Sequence, residues 1–131
     1  MSATENKQLM QSVFAEFAKG NSQPFFDLMA DNFSWTVIGT TKYSGTYSGK
    51  EAVMTELMMP IGMQFATQYK NTAHRFIAED DLVVVECRGS VETKNGKSYN
   101  NTYCWVCRLA DHKLIELTEY CDTELIKTAL D

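Results

Sequence analysis

Residues 82–121 read LVVVECRGSVETKNGKSYNNTYCWVCRLADHKLIELTEYC. Within them Leu82–Val91, Lys97–Leu109 and Lys113–Cys121 are rich in β-branched and aromatic side chains, the composition of strands. Lys94-Asn95-Gly96 and Ala110-Asp111-His112 interrupt them with turn residues, so the chain doubles back twice. Just upstream, Lys70–Ala78 has the same character, and Glu79-Asp80-Asp81 supplies a third turn. Strands joined in this way predict an antiparallel meander. Alternation then assigns the faces. Val83, Val85 and Cys87 share one parity with Tyr99, Asn101, Tyr103, Trp105, Cys107 and Leu109, and with Ile115, Leu117, Glu119 and Cys121. That odd-numbered face is the predicted interior. The even face carries Val84, Cys104, Val106, Leu114 and Tyr120 beside Thr102 and Thr118, too apolar to be left simply in water. It predicts a homodimer through the outer sheet face.

The residues before the meander read as helices. Leu9, Met10, Val13, Phe14 and Phe17 recur at helical spacing over residues 4–19, with Thr4 as the N-cap, Lys7 at the third helical position and Gly20 as the stop. Pro24 opens a short second helix through Leu28 and Met29. Phe33–Ile38 reads as a short strand and Gly39–Ser48 as a loop. A third helix is expected from Lys50 to about Met59, where Pro60 breaks or kinks it. A last helical turn or two, Thr123 to Leu130, closes the chain. Helices first and strands after is an α+β pattern, with helices covering one face of the sheet.

Composition bounds what such a domain does. The chain has 131 residues, 44% of them hydrophobic and 11% aromatic, enough for one packed domain spanning residues 1–131. Net charge is −5, and Lys and Arg are scattered, which argues against nucleic acid and against anionic membranes as partners. No apolar run is long enough to span a bilayer. Met1–Gln11 is polar and unlike a secretory signal, so the expected location is cytoplasmic, with four cysteines as free buried thiols. Cys104 and Cys107 lie three apart on a strand and point to opposite faces, so they make neither a disulfide nor a metal clamp. No metal site and no cofactor is implied.

Several stretches carry a resemblance: Phe33–Val37, Ser44–Val53, Gly96–Asn101 and Lys113–Asp122. Their order and spacing resemble the nuclear transport factor 2-like superfamily, in its SnoaL-like and ketosteroid isomerase-related branch. That resemblance implies a cystatin-like cone, a strongly curved, mostly antiparallel sheet wrapped by three N-terminal helices, with a pocket at the wide end. It implies no single activity, because isomerases, cyclases, epoxide hydrolases and pure binders share the fold. By similarity, the catalytic base of the ketosteroid isomerases would fall at or beside Val37 and their first-helix tyrosine near Val13, so both groups are missing here. The Arg-x-Asp pair of the limonene epoxide hydrolases would fall at Glu86-Cys87-Arg88, in reversed order and on the outward face, while Glu119 matches the third acid of that set.

Three groups are candidates for acid-base chemistry. Glu119 falls on the inner face, where an isolated carboxylate is paired, neutral or functional; a wet rim or an arginine partner is the plain alternative. His74 shares the parity of Phe76 and so points toward the pocket, either as an acid or base or as a satisfied core or rim histidine. Asp122 matches the acid-base aspartate of the SnoaL-like cyclases, but it also precedes Thr123-Glu124-Leu125 as a good N-cap, the reading favoured here. His112 lies in a turn. The expected ligand-binding wall comprises Trp35, Tyr99, Tyr103 and Trp105 from the strands, and Phe14, Phe17, Met58, Met59 and Met63 from the helices. Tyr43 and Tyr47 fall in the loop expected at the mouth. The function these residues predict is the binding of a small apolar molecule, with cofactor-independent acid-base chemistry of isomerase, cyclase or hydrolase type. The alternative is a non-catalytic ligand-binding or dimeric scaffold domain.

Overall fold

A computed structural model describes residues 2–131. Helix α1 (Ala3–Phe17) starts two residues earlier than a Thr4 cap predicted. Ser2 is the N-cap: its hydroxyl accepts from Glu5 N at 3.1 Å, and Glu5 Oε1 accepts from Ser2 N at 3.0 Å. This reciprocal capping box satisfies two otherwise unpaired amides, which Thr4 with Lys7 cannot do. The inward face of α1 carries Met10, Val13, Phe14 and Phe17, and the chain leaves through Gly20 at φ 90°. Helix α2 (Gln23–Leu28) has Pro24 in its first turn, where the missing amide hydrogen costs nothing.

Strand β1 (Met29–Val37) follows, then β2 (Gly45–Ser48) inside the segment expected to be loop. β2 is short and polar, so alternation gives no signal for it. Its place is set by antiparallel pairing to β1, with Trp35 opposite Tyr47 and the Thr36 and Thr46 hydroxyls 2.9 Å apart. The third helix runs past Pro60. It comprises α3 (Lys50–Ala52), a π-helical stretch (Val53–Met58) and α4 (Met59–Gly62). The wide π turn bonds Met59 N to the Met54 carbonyl, five residues back. Pro60 therefore falls in the first turn of a new α segment and needs no donor there.

The remaining strands are β3 (Lys70–Glu79), β4 (Leu82–Ser90), β5 (Thr102–Ala110) and β6 (Lys113–Cys121), closed by α5 (Thr123–Ala129). The expected meander is present. Among the described residues six strands form one curved sheet in the order β2-β1-β6-β5-β4-β3, with β1 parallel to β6 and the other pairs antiparallel. The third helix follows β1, as its place after Phe33–Ile38 predicted, so the three wrapping helices do not all stand N-terminal to the sheet; α5 closes the chain over Thr123–Ala129, as expected.

Two local departures matter for the interior. β5 begins at Thr102 rather than Lys97, because residues 91–101 hold together partly through side chains. Asn100 Oδ1 accepts from Val91 N at 3.0 Å, and only the bridges Glu92–Ser98 and Phe65–Thr93 continue the pairing there. A bulge between Arg108/Leu109 and Leu114/Glu116 shifts the parity of β6. Leu114, assigned to the outer face, is fully buried, and Ile115, assigned inward, is only half-buried. An extra residue at a bulge turns every side chain before it to the other face. Beyond the bulge, Leu117 and Glu119 face inward as expected. No helix among the described residues is long and apolar enough to cross a membrane.

Candidate functional site

The concave face of the sheet and the helices enclose a cavity of about 470 Å³. Its floor is aromatic. Trp35 and Trp105 meet edge to face at 5.3 Å, Phe25 stacks on Trp105 at 5.4 Å, and Tyr103 lies 5.3 Å from Trp105. One side is the third helix, whose Met54, Leu57, Met58 and Ile61 follow helical spacing and line the space together. Ile126 and Leu130 close another side. Met59 and Met63 also line it yet are 54% and 68% exposed, which marks the mouth. Beside them, Gln64 ties the end of the chain to the third helix. Its Oε1 accepts from Asp131 N at 2.7 Å, its Nε2 donates to the Tyr43 hydroxyl at 2.8 Å, and that hydroxyl donates to the Asp131 carbonyl.

Into this wall projects one carboxyl. Glu119 sits near the end of β6, between Val37 of β1 and Trp105 of β5, and is 8% exposed. Its Oε1 accepts from Trp105 Nε1 at 3.0 Å, and it takes part in none of the ion pairs among the described residues. No Lys, Arg or His contributes to the cavity wall. Burial without a cation pushes its pKa up to about 7, while the bonds from Trp105 and the Cys121 thiol pull the other way. A carboxyl in that range both gives and takes a proton at neutral pH.

A set of phenols shares the cavity. Asn71 Nδ2 donates to the Tyr69 hydroxyl at 3.2 Å, Tyr69 donates to the Tyr103 hydroxyl at 3.1 Å, and Asn101 Nδ2 donates to the Tyr99 hydroxyl at 3.1 Å. Burial raises the pKa of all three tyrosines, so they remain neutral. Asn101 also anchors the strand end: its Oδ1 accepts from Asp122 N at 3.0 Å, and its Nδ2 donates to the Asp122 carbonyl at 3.1 Å.

The structure gathers most of the expected wall. Phe17, Trp35, Met58, Met59, Met63, Tyr99, Tyr103 and Trp105 line the cavity with Glu119 and Tyr43. Phe14 does not line it; it packs behind Trp105, with ring centroids 5.8 Å apart. Tyr47 stands off as well, its hydroxyl donating to the Tyr43 carbonyl at 2.9 Å. His74 is exposed and outside the wall. A bulge between Ala73 and Arg75 breaks the alternation that had placed it with Phe76. Asp122 is the N-cap of α5, accepting from Glu124 N at 3.1 Å and Leu125 N at 3.3 Å. Glu86 and Arg88 lie on the outer face, Glu86 paired with Arg75.

Phe25, Phe26, Phe65 and Tyr69 are cavity residues the strand parity did not reach. The apolar run after Pro24 was the available signal for the first two. Phe65 and Tyr69 lie where the chain turns from helix to strand and no period applies.

A family profile described as a SnoaL-like domain matches residues 10–117. The chain belongs to this SnoaL-like family. Among solved structures, the SnoaL-like chain is similar to Bal32a from a soil-derived mobile gene cassette, at 21% identity and a TM-score of 0.82 over 98% of both chains. It is similar to a candidate SnoaL-like polyketide cyclase from Jannaschia sp. CCS1, at 17% identity and a TM-score of 0.77 over 98% of this chain and 92% of that one. TerC, co-crystallised with polyporic acid, matches at 17% identity and a TM-score of 0.76 over 95% and 96%. Identities this low show the fold alone. No curated protein matches by sequence.

Proposed function

We propose that this SnoaL-like chain binds a small apolar ring compound in the cavity and moves a proton on it through Glu119, with no cofactor. The observation that carries the reading is an isolated, cation-free carboxyl in an apolar space of about 470 Å³. That volume lies within the ordinary range of small-molecule sites. Near neutral pH the Glu119 carboxylate accepts a proton from a carbon next to a carbonyl. The electron pair moves onto the carbonyl oxygen, and the carboxyl returns its proton elsewhere on the ring. The reaction class is isomerisation or cyclisation, with Glu119 base and acid in turn. Membership of the SnoaL-like family, and a likeness in fold to a candidate polyketide cyclase, support this class.

A thermal-shift screen of aromatic and alicyclic carbonyl compounds on the wild type and Glu119→Gln tests the reading. Ligands that stabilise the wild type are expected to lose turnover in Glu119→Gln while the apolar wall still holds them. Equal turnover by the two proteins would leave a binding domain without catalysis.

We also infer a homodimer through the outer sheet face. Ile77 and Tyr120 are 52% and 47% exposed there, beside the half-buried Val84 and Val106. Beside this row Arg75 is paired with Glu86, and Arg108 with Asp81 and Glu116, within one copy. Four free cysteines suit a reducing compartment, and the cytoplasm is the location proposed.

A further inference from the structure

Glu119 meets no cation, so its strongest partner is the residue directly opposite. On the antiparallel β5–β6 ladder that residue is Trp105, and both side chains are buried on the inward face. Trp105 Nε1 donates to Oε1 at 3.0 Å. Among the described residues no nitrogen or oxygen donor bonds the second oxygen, Oε2. Nor is Oε2 one of the polar atoms that are both closed off and unpartnered, which are Asn6 Oδ1, Asn71 Oδ1 and Trp35 Nε1. The carboxyl is therefore asymmetric. One oxygen is tied to the wall, and the other stays open to the cavity that Glu119 lines.

The donor has little freedom. Trp105 is 2% exposed, Phe25 stacks on it with the ring planes 19° apart, and Trp35 meets it edge to face. Phe14 and Tyr103 close in at 5.8 and 5.3 Å between ring centroids. An indole carries one N–H, fixed in the ring plane, so neighbours that fix the plane also aim the bond. A hydroxyl or ammonium donor in the same place would keep its rotation.

What surrounds the pair is uncharged. Tyr103 on β5, Cys121 on β6, Cys87 on β4, and Tyr69 and Tyr99 just outside the strands are all held neutral, because burial raises the pKa of each. Tyr43, in the β1–β2 loop, donates to the Asp131 carbonyl. Helices α1, α2 and α5 and the third helix bring no titratable side chain to the wall. A neutral donor stabilises a carboxylate less than a cation would, and more than an apolar wall alone.

We propose that Trp105 is the positioning residue of this site: its N–H holds Oε1 as a permanent acceptor and leaves Oε2 as the oxygen that takes and returns the proton. The assignment rests on the acid-base reading of Glu119 above and adds which atom acts and what aims it. In the base form Oε2 offers a lone pair. In the acid form the proton sits on Oε2, while Oε1, now the carbonyl oxygen, still accepts from Trp105. The hydrogen bond survives both proton transfers, so the carboxyl has no need to turn between them.

Two readouts on the ligand-free protein test this. Trp105→Phe removes the donor and is expected to raise the midpoint of a Glu119 carbon-13 titration by about one pH unit or more, the size of a lost hydrogen bond to a charged group. Trp35→Phe trims the neighbouring indole, whose nitrogen bonds nothing, and is expected to leave that midpoint where the wild type has it. An unmoved midpoint in Trp105→Phe, or equal rises in both variants, would overturn the role. The second readout needs no substitution in the aromatic cluster, since the chain holds two tryptophans. In nitrogen-15 spectra of the wild type, one indole N–H is expected to move downfield with rising pH, at the midpoint of Glu119, because its acceptor gains charge. In Glu119→Gln that resonance is expected to stay still. Two static indole resonances across the Glu119 titration overturn the proposal, even where Trp105→Phe fails to fold. A wild-type midpoint in the ordinary carboxylate range, with one indole following it, would instead sink the acid-base reading and the proposal with it, leaving only the hydrogen bond.

Discussion

At the scale of single residues, Glu119 holds the most consequence, because its burial disfavours the charged form of the group. Its raised pKa has a fixed sign for stability. Between about 4.5 and about 7 the folded state keeps the proton while the unfolded state has released it, so stability falls as pH rises through that window and levels off above it. The full effect is roughly 3 kcal/mol, in the order-of-magnitude sense that one pKa unit is about 1.4 kcal/mol. Glu119→Gln removes the ionisation. Urea unfolding is expected to show the variant gaining on the wild type between pH 5 and pH 8, by up to that amount. Parallel pH profiles would contradict the burial argument. Glu119 was legible because β6 alternates cleanly after Leu117. His74 was misplaced because a bulge in β3 leaves no mark in composition, and two residues of Ala73-His74-Arg75 then share a place opposite one partner. Trp35 was legible as a wall residue. Its unpartnered nitrogen was not, since a missing acceptor is a property of everything around it.

At the scale of elements, the C-terminal helix shows how a strand end is converted into a cavity wall. Asp122 caps α5 and, through its backbone, joins Asn101, so Ile126 and Leu130 are held where they line the space. If the cap is its role, Asp122→Asn keeps stability within a few tenths of a kcal/mol, because asparagine caps about as well. Asp122→Ala loses about 1 kcal/mol. Chemical denaturation of the pair measures this, and a large loss of activity in the stable Asp122→Asn protein would point to chemistry at Asp122 instead. The elements that sequence located well, the meander and α1, owe their shape to long-period patterns. Those it mislocated are set by tertiary partners. β2 exists because β1 offers it an edge, and Pro60 is tolerated because the π turn before it absorbs the missing bond. The parity of β6 failed only before its bulge, at Leu114 and Ile115.

At the scale of the whole molecule, one sheet has two unequal faces. The concave face and the helices keep a carboxyl and four phenols in a space walled by aromatics and methionines, while the other face presents an apolar row across Ile77, Val84 and Val106. Pairing through that row predicts a sedimentation mass of two chains at micromolar concentration, shifted toward one chain by Val106→Arg. A wild-type mass of one chain would refute the pairing and leave the cavity argument intact. The central claim is that this architecture keeps Glu119 poised between its acid and its base form. The direct measurement is a carbon-13 titration of the Glu119 side-chain carboxyl in the ligand-free protein, assigned by its loss in Glu119→Gln. A midpoint near pH 7 is the predicted result, and a midpoint in the ordinary carboxylate range, near pH 4, would contradict it.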